Sequence, residues 1–358
     1  MMERVVDPLE AAARTKGVRS EAIAFLAMLV LLVVAPTVAY PVFLMKALCF
    51  ALFACAFNLL IGYVGLLSFG HALYFGWAGY VSAHLAKIGK LTLPYWAGGW
   101  HWVVIPLPPL SPELAILGGT ATAAVLGLIA GALAIRRQGI YFAMITLALA
   151  QMMFFFAVQA PFTGGEDGIQ AVPRGHLFGV IDLSHPLVMY YFVLATFLIG
   201  FGIIYRTIHS PFGQVLKAIR ENEPRAISLG YRTDQYKLLA FILSATLAGL
   251  AGSTKSLVFQ LASLTDVTWQ MSGEVVLMTL IGGLGTVFGP VVGAFITTSM
   301  ENYLAQYGSW VTVIQGVIFV VCVLTFRRGV VGEIIQLARR VKAPATAAEP
   351  MTRPVPGE

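Results

Sequence analysis

The chain has 358 residues, of which 58% are hydrophobic and only 11% charged, where a soluble domain carries roughly 25%. So few charges cannot cover a water-facing surface, which excludes a soluble enzyme and a disordered chain, while continuous apolar runs of about 20 residues exclude a spanning barrel, whose strands alternate. The balance of 23 Lys and Arg against 17 Asp and Glu, a formal +6, reads as basic loops on one membrane face and not as a nucleic-acid site.

In chain order, residues 1–21 form a polar lead, too acidic for a signal peptide. Apolar runs follow at 22–40, 42–62, 66–86, 113–135, 139–158, 187–205, 238–258, 273–285, 286–304 and 310–326. The eighth run is short and closes on Gly282, Gly283 and Gly285, so charge has to decide whether it spans. With ten spans and the N-terminus inside, the cytoplasmic segments collect Arg4, Arg14, Lys16 and Arg19, then Arg136 and Arg137. The 206–237 segment adds Arg206, Lys217, Arg220, Arg225, Arg232 and Lys237. The tail adds Arg327, Arg328, Arg339, Arg340, Lys342 and Arg353, bringing the inside total to 18 of the 23 basic residues. Nine spans would strand the basic tail outside, against the positive-inside tendency. The expectation is an all-α polytopic membrane protein of about ten helices with both termini cytoplasmic. Its transmembrane domain covers 22–328, followed by a Pro- and Ala-rich, partly disordered tail at 329–358.

Polar residues inside the runs are few: Lys46, Asn58, His71, Gln151, Glu274, Glu301 and Gln315. Lys46 stands near an outer end and can snorkel. Asn58, Ser68, His71 and Gln151 are candidates for lining a pathway, with helix-to-helix hydrogen bonding as the alternative role. Ser68 and His71 are one helical turn apart, but no GxSxG elbow or third partner supports a nucleophile–base pair. No two carboxylates pair along a helix, so energy for transport is expected from another subunit. Cys49, Cys55 and Cys322 show no CxxC spacing and there is no HExxH, so no metal site or disulfide framework is expected.

Two glycine-rich stretches mimic nucleotide motifs without meeting them. Gly249-x-x-Gly252-Ser253-Thr254-Lys255-Ser256 lacks the GKS/T step of a phosphate loop. Gly285, Gly289 and Gly293 recur every four residues and read as one close-packing helix face. Leu60-Ile61-Gly62-x-x-Gly65 with Phe69-Gly70 is echoed by Leu280-Ile281-Gly282-x-x-Gly285 with Phe288-Gly289. The echo marks either tight turns beside a pathway or a chance likeness.

Two hydrophilic segments interrupt the runs. The external one, 159–186, carries Glu166, Asp167 and Asp182 and reads as a packed loop. The internal one, 206–237, predicts two short helices under the membrane: Val215–Arg220, then Arg225–Leu229 with Pro224 in its first turn and Gly230 as its stop.

Within that segment Glu223-x-x-Ala226-x-x-x-Gly230 resembles the coupling loop of ABC-transporter permeases. Its company is more specific: GYVGLLSFGHALYFGWAGY, RRQGIYFAMITLALAQ, TGGEDGIQAVP, GQVLKAIRENEPRAISLGYRTDQYKLLAFILSATLAGLAG and GEVVLMTLIGGLGTVFGPVVGAF. Together, from about Ala54 to Arg328, they resemble the LivM-type permease subunit of high-affinity branched-chain amino acid importers. The resemblance implies a type-II-like importer half in the bacterial inner membrane. Its implied partners are a second related permease, two ATP-binding cassette subunits and a periplasmic solute-binding protein. It implies no cofactor and no catalysis in this chain, with ATP held by the partners; no phosphate loop follows the last span. It puts Arg220, Glu221, Asn222, Glu223, Ala226 and Gly230 on the ATPase-coupling loop, although Pro224 stands where the family has a smaller helix former. Branched-chain amino acids are the leading solutes, with urea, short amides or aromatic acids as alternatives. An ion-coupled secondary transporter is the competing class.

Overall fold

The computed structural model describes residues 8–87, 90–96, 100–106, 110–308, 310–325 and 329–333. The first seven residues and the predicted tail beyond 333 lie outside the described residues. Twelve helices occur among the described residues: α1 (Pro8–Val34), α2 (Pro41–Tyr63), α3 (His71–Lys87), α4 (Pro112–Ala134), α5 (Ile140–Gln159), α6 (Pro186–His209), α7 (Pro211–Glu221), α8 (Glu223–Ser228), α9 (Thr233–Phe259), α10 (Trp269–Gly282), α11 (Gly289–Leu304) and α12 (Trp310–Thr325). Each predicted apolar run has its helix, and the 206–237 segment folds as the short pair α7 and α8. The chain is an all-α, multi-pass membrane protein. Five helices, α2, α4, α5, α6 and α9, are each long and apolar enough to cross a bilayer. By contrast the 14 residues of α10 rise only roughly 21 Å, which explains why hydropathy alone underrates it.

Two differences from the sequence reading stand out. The N-terminal lead is not separate from the first run, because α1 begins at Pro8 and continues unbroken to Val34. Short antiparallel strand pairs also decorate the helices. β1 (Lys90–Trp96) pairs with β2 (Trp100–Pro106), β3 (Ile169–Gln170) with β6 (Leu261–Ala262), and β4 (His176–Leu177) with β5 (Ile181–Asp182). β3 to β5 lie in the 159–186 loop, where Thr163, Ile169, Val172 and Leu183 are buried. That loop is packed, and Thr163 closes α5 by donating to the carbonyls of Ala157 and Ala160.

α2 is the central post, buried along nearly its whole length. With lipid outside as apolar as the core, helices associate through close contact and internal polar bonds, which favours small residues at crossings. α9 meets α4 where Gly249 and Ala245 face Ala123 and Gly127, and meets α3 where Gly252 faces the Phe75 carbonyl. The phosphate-loop mimic is therefore packing surface. Large apolar side chains on α1, α4 and α5, such as Leu31, Leu117, Ile129, Met144 and Phe155, point outward, as lipid contact requires.

Contacts sort the helix ends into two groups. At one end, here the α7 end, Glu21 of α1 accepts from the Tyr205 hydroxyl and faces His209 in the last turn of α6. There too, Arg136 shares a small cavity with Asp234 and Gln235 at the start of α9, and Gly329 packs on Gly283. The 159–186 loop lies at the opposite end, where Lys87 donates to the Gln170 carbonyl.

The α10–α11 crossing gives a direct test of the packing. A Cβ on Gly293 would fall 1.8 Å from the Met278 carbonyl oxygen, whereas one on Gly202 of α6 meets nothing within 4 Å. Gly293→Ala is expected to destabilise by about 1–3 kcal/mol through overpacking and Gly202→Ala to be neutral, as read by thermal melts of the purified protein.

Candidate functional site: the α7–α8 segment and two glycine turns

The α7–α8 pair is built by local rules. The Ser210 hydroxyl accepts from the Gly213 amide to cap α7, and the Asn222 side chain accepts from the Arg225 amide to cap α8. Pro224 sits in the first turn of α8, where its missing N–H costs nothing. Gly230 closes the pair at φ +87, with open space where a Cβ would be, so the position needs the conformation and not the room. Phe212 of α7 stacks on Tyr236 of α9 at 5.6 Å.

The two echoed motifs turn out to be two turns in contact. α2 ends and α3 begins around Gly65 at φ +83; α10 ends and α11 begins around Gly285 at φ +73. Asn58, buried in α2, binds the second turn with both ends of its amide: its Nδ2 donates to the Thr286 carbonyl at 2.9 Å, and its Oδ1 accepts from the Gly285 amide at 3.0 Å. Arg220 reaches in from α7, donating through Nη1 to the Gly62 carbonyl. A Cβ on either Gly65 or Gly285 would come within 3.2 Å of its side chain. These groups border a cavity of about 440 Å³ lined by Gly62, Tyr63, Lys217, Arg220, Glu221 and Gly285. The Lys217 ammonium lies 5.6 Å from the Tyr63 ring centre.

A second link joins the pair to α9. Lys237 is buried, and its ammonium donates to Glu223 Oε1 at 2.5 Å, the carboxylate being only 18% exposed. The six residues assigned to the coupling loop therefore divide. Arg220, though exposed, and Glu223 bond to other elements, Asn222 caps, Ala226 is buried, Gly230 forms the stop and Glu221 is exposed. The exposed residues of the segment mix polar side chains with three large apolar ones: Ile227, Leu229 and Tyr231 are 54%, 69% and 41% exposed, with Arg225 and Arg232 exposed near them in the chain. Their signal in the sequence was three large apolar residues inside the most polar segment between runs.

The pathway candidates fare differently. Asn58, Ser68 and His71 are buried; Asn58 and His71 bond to other elements, whereas the bond of Ser68 is local. Ser68 accepts from the Gly70 amide, and His71 Nε2 meets the Ser244 hydroxyl at 2.9 Å inside a box of Phe57, Tyr74 and Phe241. Ser68 and His71 do not bond each other. Gln151 is half-buried on α5, and none of the four lines the 440 Å³ cavity. The helix-face reading of Gly285, Gly289 and Gly293 needs a correction. Gly285 lies in the turn ahead of α11, because its positive φ ends any helical register, and the third member of the crossing is Gly282, whose Cβ would strike the Gly289 carbonyl at 1.9 Å.

The family model described as "Branched-chain amino acid transport system / permease component" matches residues 41–323. The chain is 24% identical over 290 residues to the high-affinity branched-chain amino acid transport system permease protein LivM of Escherichia coli K12, and equally to that of Salmonella typhimurium. Those matches cover 75% of this chain and 64% of each relative's length. Over 122 residues it is 28% identical to a probable branched-chain amino acid transport permease protein LivH of Methanocaldococcus jannaschii, covering 32% of this chain and 36% of that protein. No solved structure matches.

The buried ion pair yields a stability test. Glu223→Gln leaves the Lys237 charge uncompensated and is expected to cost about 3–5 kcal/mol. Lys237→Met in the same chain is expected to recover most of that loss. Thermal melts of the two single variants and the double variant close the cycle.

Proposed function

The chain belongs to the family of branched-chain amino acid transport system permease components, and from that premise we propose that it forms half of the solute pathway of an ATP-driven importer. On this reading it sits in the bacterial inner membrane with both termini and the α7–α8 pair in the cytoplasm. A second related permease completes the pathway, two ATP-binding cassette subunits bind and hydrolyse ATP, and a periplasmic binding protein delivers the solute. The chain itself needs no cofactor and performs no covalent chemistry.

The two-sidedness of the α7–α8 pair is the observation that carries this reading. Its solvent side exposes Ile227, Leu229 and Tyr231 among charged and polar residues, a mixture that suits a protein interface better than water. Its inner side is bonded to the moving parts, through Arg220 to the α2–α3 turn and through Glu223 to Lys237 of α9. When the ATPases close, α7 and α8 shift. Arg220 transmits that shift to the touching glycine turns, and the Glu223–Lys237 pair transmits it along the continuous α9. ATP then biases the permease between two packings, which takes a coupling free energy of about 1–3 kcal/mol.

Branched-chain amino acids are the solutes this reading favours, since nearly bare helices suit a zwitterion with an apolar side chain; urea, short amides and aromatic acids are the alternatives. An ion-coupled carrier is the second reading, favoured by one observation: ionisable residues do gather inside the helices, at the end opposite α7. Liposomes holding this chain alone separate the two, because only a carrier accumulates solute under an ion gradient without ATPase subunits.

In the reconstituted complex, Arg220→Ala is expected to keep its ATPase subunits and hydrolyse ATP while uptake falls at least about tenfold, a loss of roughly 1.4 kcal/mol in coupling. Gly230→Pro is expected to uncouple likewise, since proline cannot adopt a positive φ. Leu229→Asp is expected to lose the ATPase during co-purification. Wild-type uptake per ATP in Arg220→Ala would contradict the transmission route.

A further inference from the structure

The hairpin of β4 and β5 ends in a turn that contact with water does not explain. Its tip, residues 177–181, reads Leu-Phe-Gly-Val-Ile and carries no polar side chain, although turns favour Gly, Pro, Asn, Asp and Ser. Phe178 is 75% exposed and Val180 83%, with Ile181 exposed beside them. Phe178 and Gly179 both hold positive φ, +51 and +74, and the Val180 amide donates to the Leu177 carbonyl across them at 3.1 Å. Two-residue turns of this hand select Asn-Gly or Asp-Gly, and a bulky residue at positive φ is an outlier. A phenyl ring is therefore held, against backbone strain, where it touches little of its own protein. Strain kept at such a position points to a function.

The tip stands on a firm base. Leu183 is buried, Leu177 packs on the core, and Arg174 reaches across to donate to the Val258 carbonyl of α9 at 2.9 Å. The Phe178 amide donates to Glu113 Oε1 at 3.1 Å, which fixes the tip at the first turn of α4. Leu114 and Leu117 follow on that spanning helix and are exposed, as is Leu187 in the first turn of α6. The tip thus continues the lipid-facing surface of two spanning helices at the level where they leave the bilayer. One pair further from the turn, His176 stands opposite Asp182, both exposed, so polar residues begin where the apolar tip ends. The β1–β2 ribbon leads into the same end of α4 and carries Trp96, Trp100 and Trp102 in its strands, a residue type enriched where membrane meets water.

We propose that the 177–181 tip is a membrane anchor, which seats Phe178 and Val180 at the boundary of headgroups and acyl chains in the leaflet at the end opposite α7. Apolar side chains leave water there, at a depth of about 5–10 Å comparable to that of interfacial helices. Glu113 sets the depth, because it holds the backbone of the tip to α4, and His176 and Asp182 stay on the wet side. Exposed apolar patches also mark protein contacts; continuity with the lipid-facing residues of α4 and α6 favours lipid. The anchor rests on the membrane placement of those two helices and not on the importer reading.

The test uses the purified full chain in lipid nanodiscs with Cys322→Ser, Cys49 and Cys55 being buried. A fluorophore is attached at Val180→Cys or, as a control at an exposed position of the same loop, at Glu166→Cys. The quenchers are iodide in the water and nitroxides carried on either the fifth or the twelfth carbon of the lipid acyl chains. The label at 180 is expected to be shielded from iodide and quenched more by the shallow nitroxide than by the deep one. The label at 166 is expected to respond to iodide alone. Phe178→Asn supplies the residue that the turn prefers, so it is expected to keep or raise the melting temperature in detergent while removing most of the lipid quenching at 180. Iodide quenching at 180 equal to that at 166 overturns the proposal, and shielding that then appears on adding a purified solute-binding protein assigns the tip to a protein contact instead. Stronger quenching by the deep nitroxide, lipid quenching unchanged by Phe178→Asn, or a lower detergent melt for that variant overturns it as well.

Discussion

Backbone groups at a break between two membrane helices must find partners inside the protein, because lipid supplies none. Two such breaks touch here, and two side chains from other elements satisfy them. Asn58 spends both ends of its amide on the α10–α11 turn, and Arg220 arrives from outside the helix bundle to hold the α2–α3 turn. The glycines at both turns make the approach possible, since any Cβ at Gly62 would lie 2.8 Å from the Gly285 amide nitrogen. A satisfied network of this kind has few intermediate states: partners are either in register or lost. That is the property needed to turn movement of a surface helix into a discrete change of packing.

The charges of the molecule follow the same division of labour. At the α7 end they serve connection, with one buried pair carrying α8 onto α9 and a cluster of Glu21, Tyr205 and His209 tying α1 to α6. At the opposite end two ion pairs, Lys46 with Glu301 and Lys255 with Asp266, tie α2 to α11 and α9 to the turn before α10. Between the two ends the helices hold together by small-residue contact and by isolated polar bonds, such as His71 to Ser244 and Ser244 to the Ala56 carbonyl.

Much of the architecture was legible because hydrophobic runs and basic loops are local properties. The ten runs became helices, and the Pro224 and Gly230 punctuation gave the α7–α8 pair its correct outline. The β1–β2 hairpin was missed although its signal was present, two aromatic and β-branched stretches on either side of Gly98-Gly99. The facing of side chains was not legible. Glu223 looked like a docking charge because nothing local reveals that Lys237, one turn into the next helix, comes back to meet it. Lys255 was read only as part of the phosphate-loop mimic, and its pairing with Asp266 of the next turn, like that of Lys46 with Glu301 of α11, is made only by folding. The glycine echo left open in the sequence is two turns in physical contact, a relation that no spacing along the chain encodes.

The central claim is that α7 and the two glycine turns move as one body, so the most direct measurement is the distance between them during turnover. Spin labels on exposed Gln214 of α7 and Leu67 of the α2–α3 turn, in the complete ATPase complex with Cys322 replaced, report that distance by electron-spin pulsed dipolar spectroscopy; Cys49 and Cys55 are buried. The account predicts one narrow distance, the same in the nucleotide-free and ATP-trapped states, which broadens when Arg220 is replaced by alanine. A distance that changes with nucleotide in the wild-type protein, or one unaffected by loss of Arg220, would contradict it.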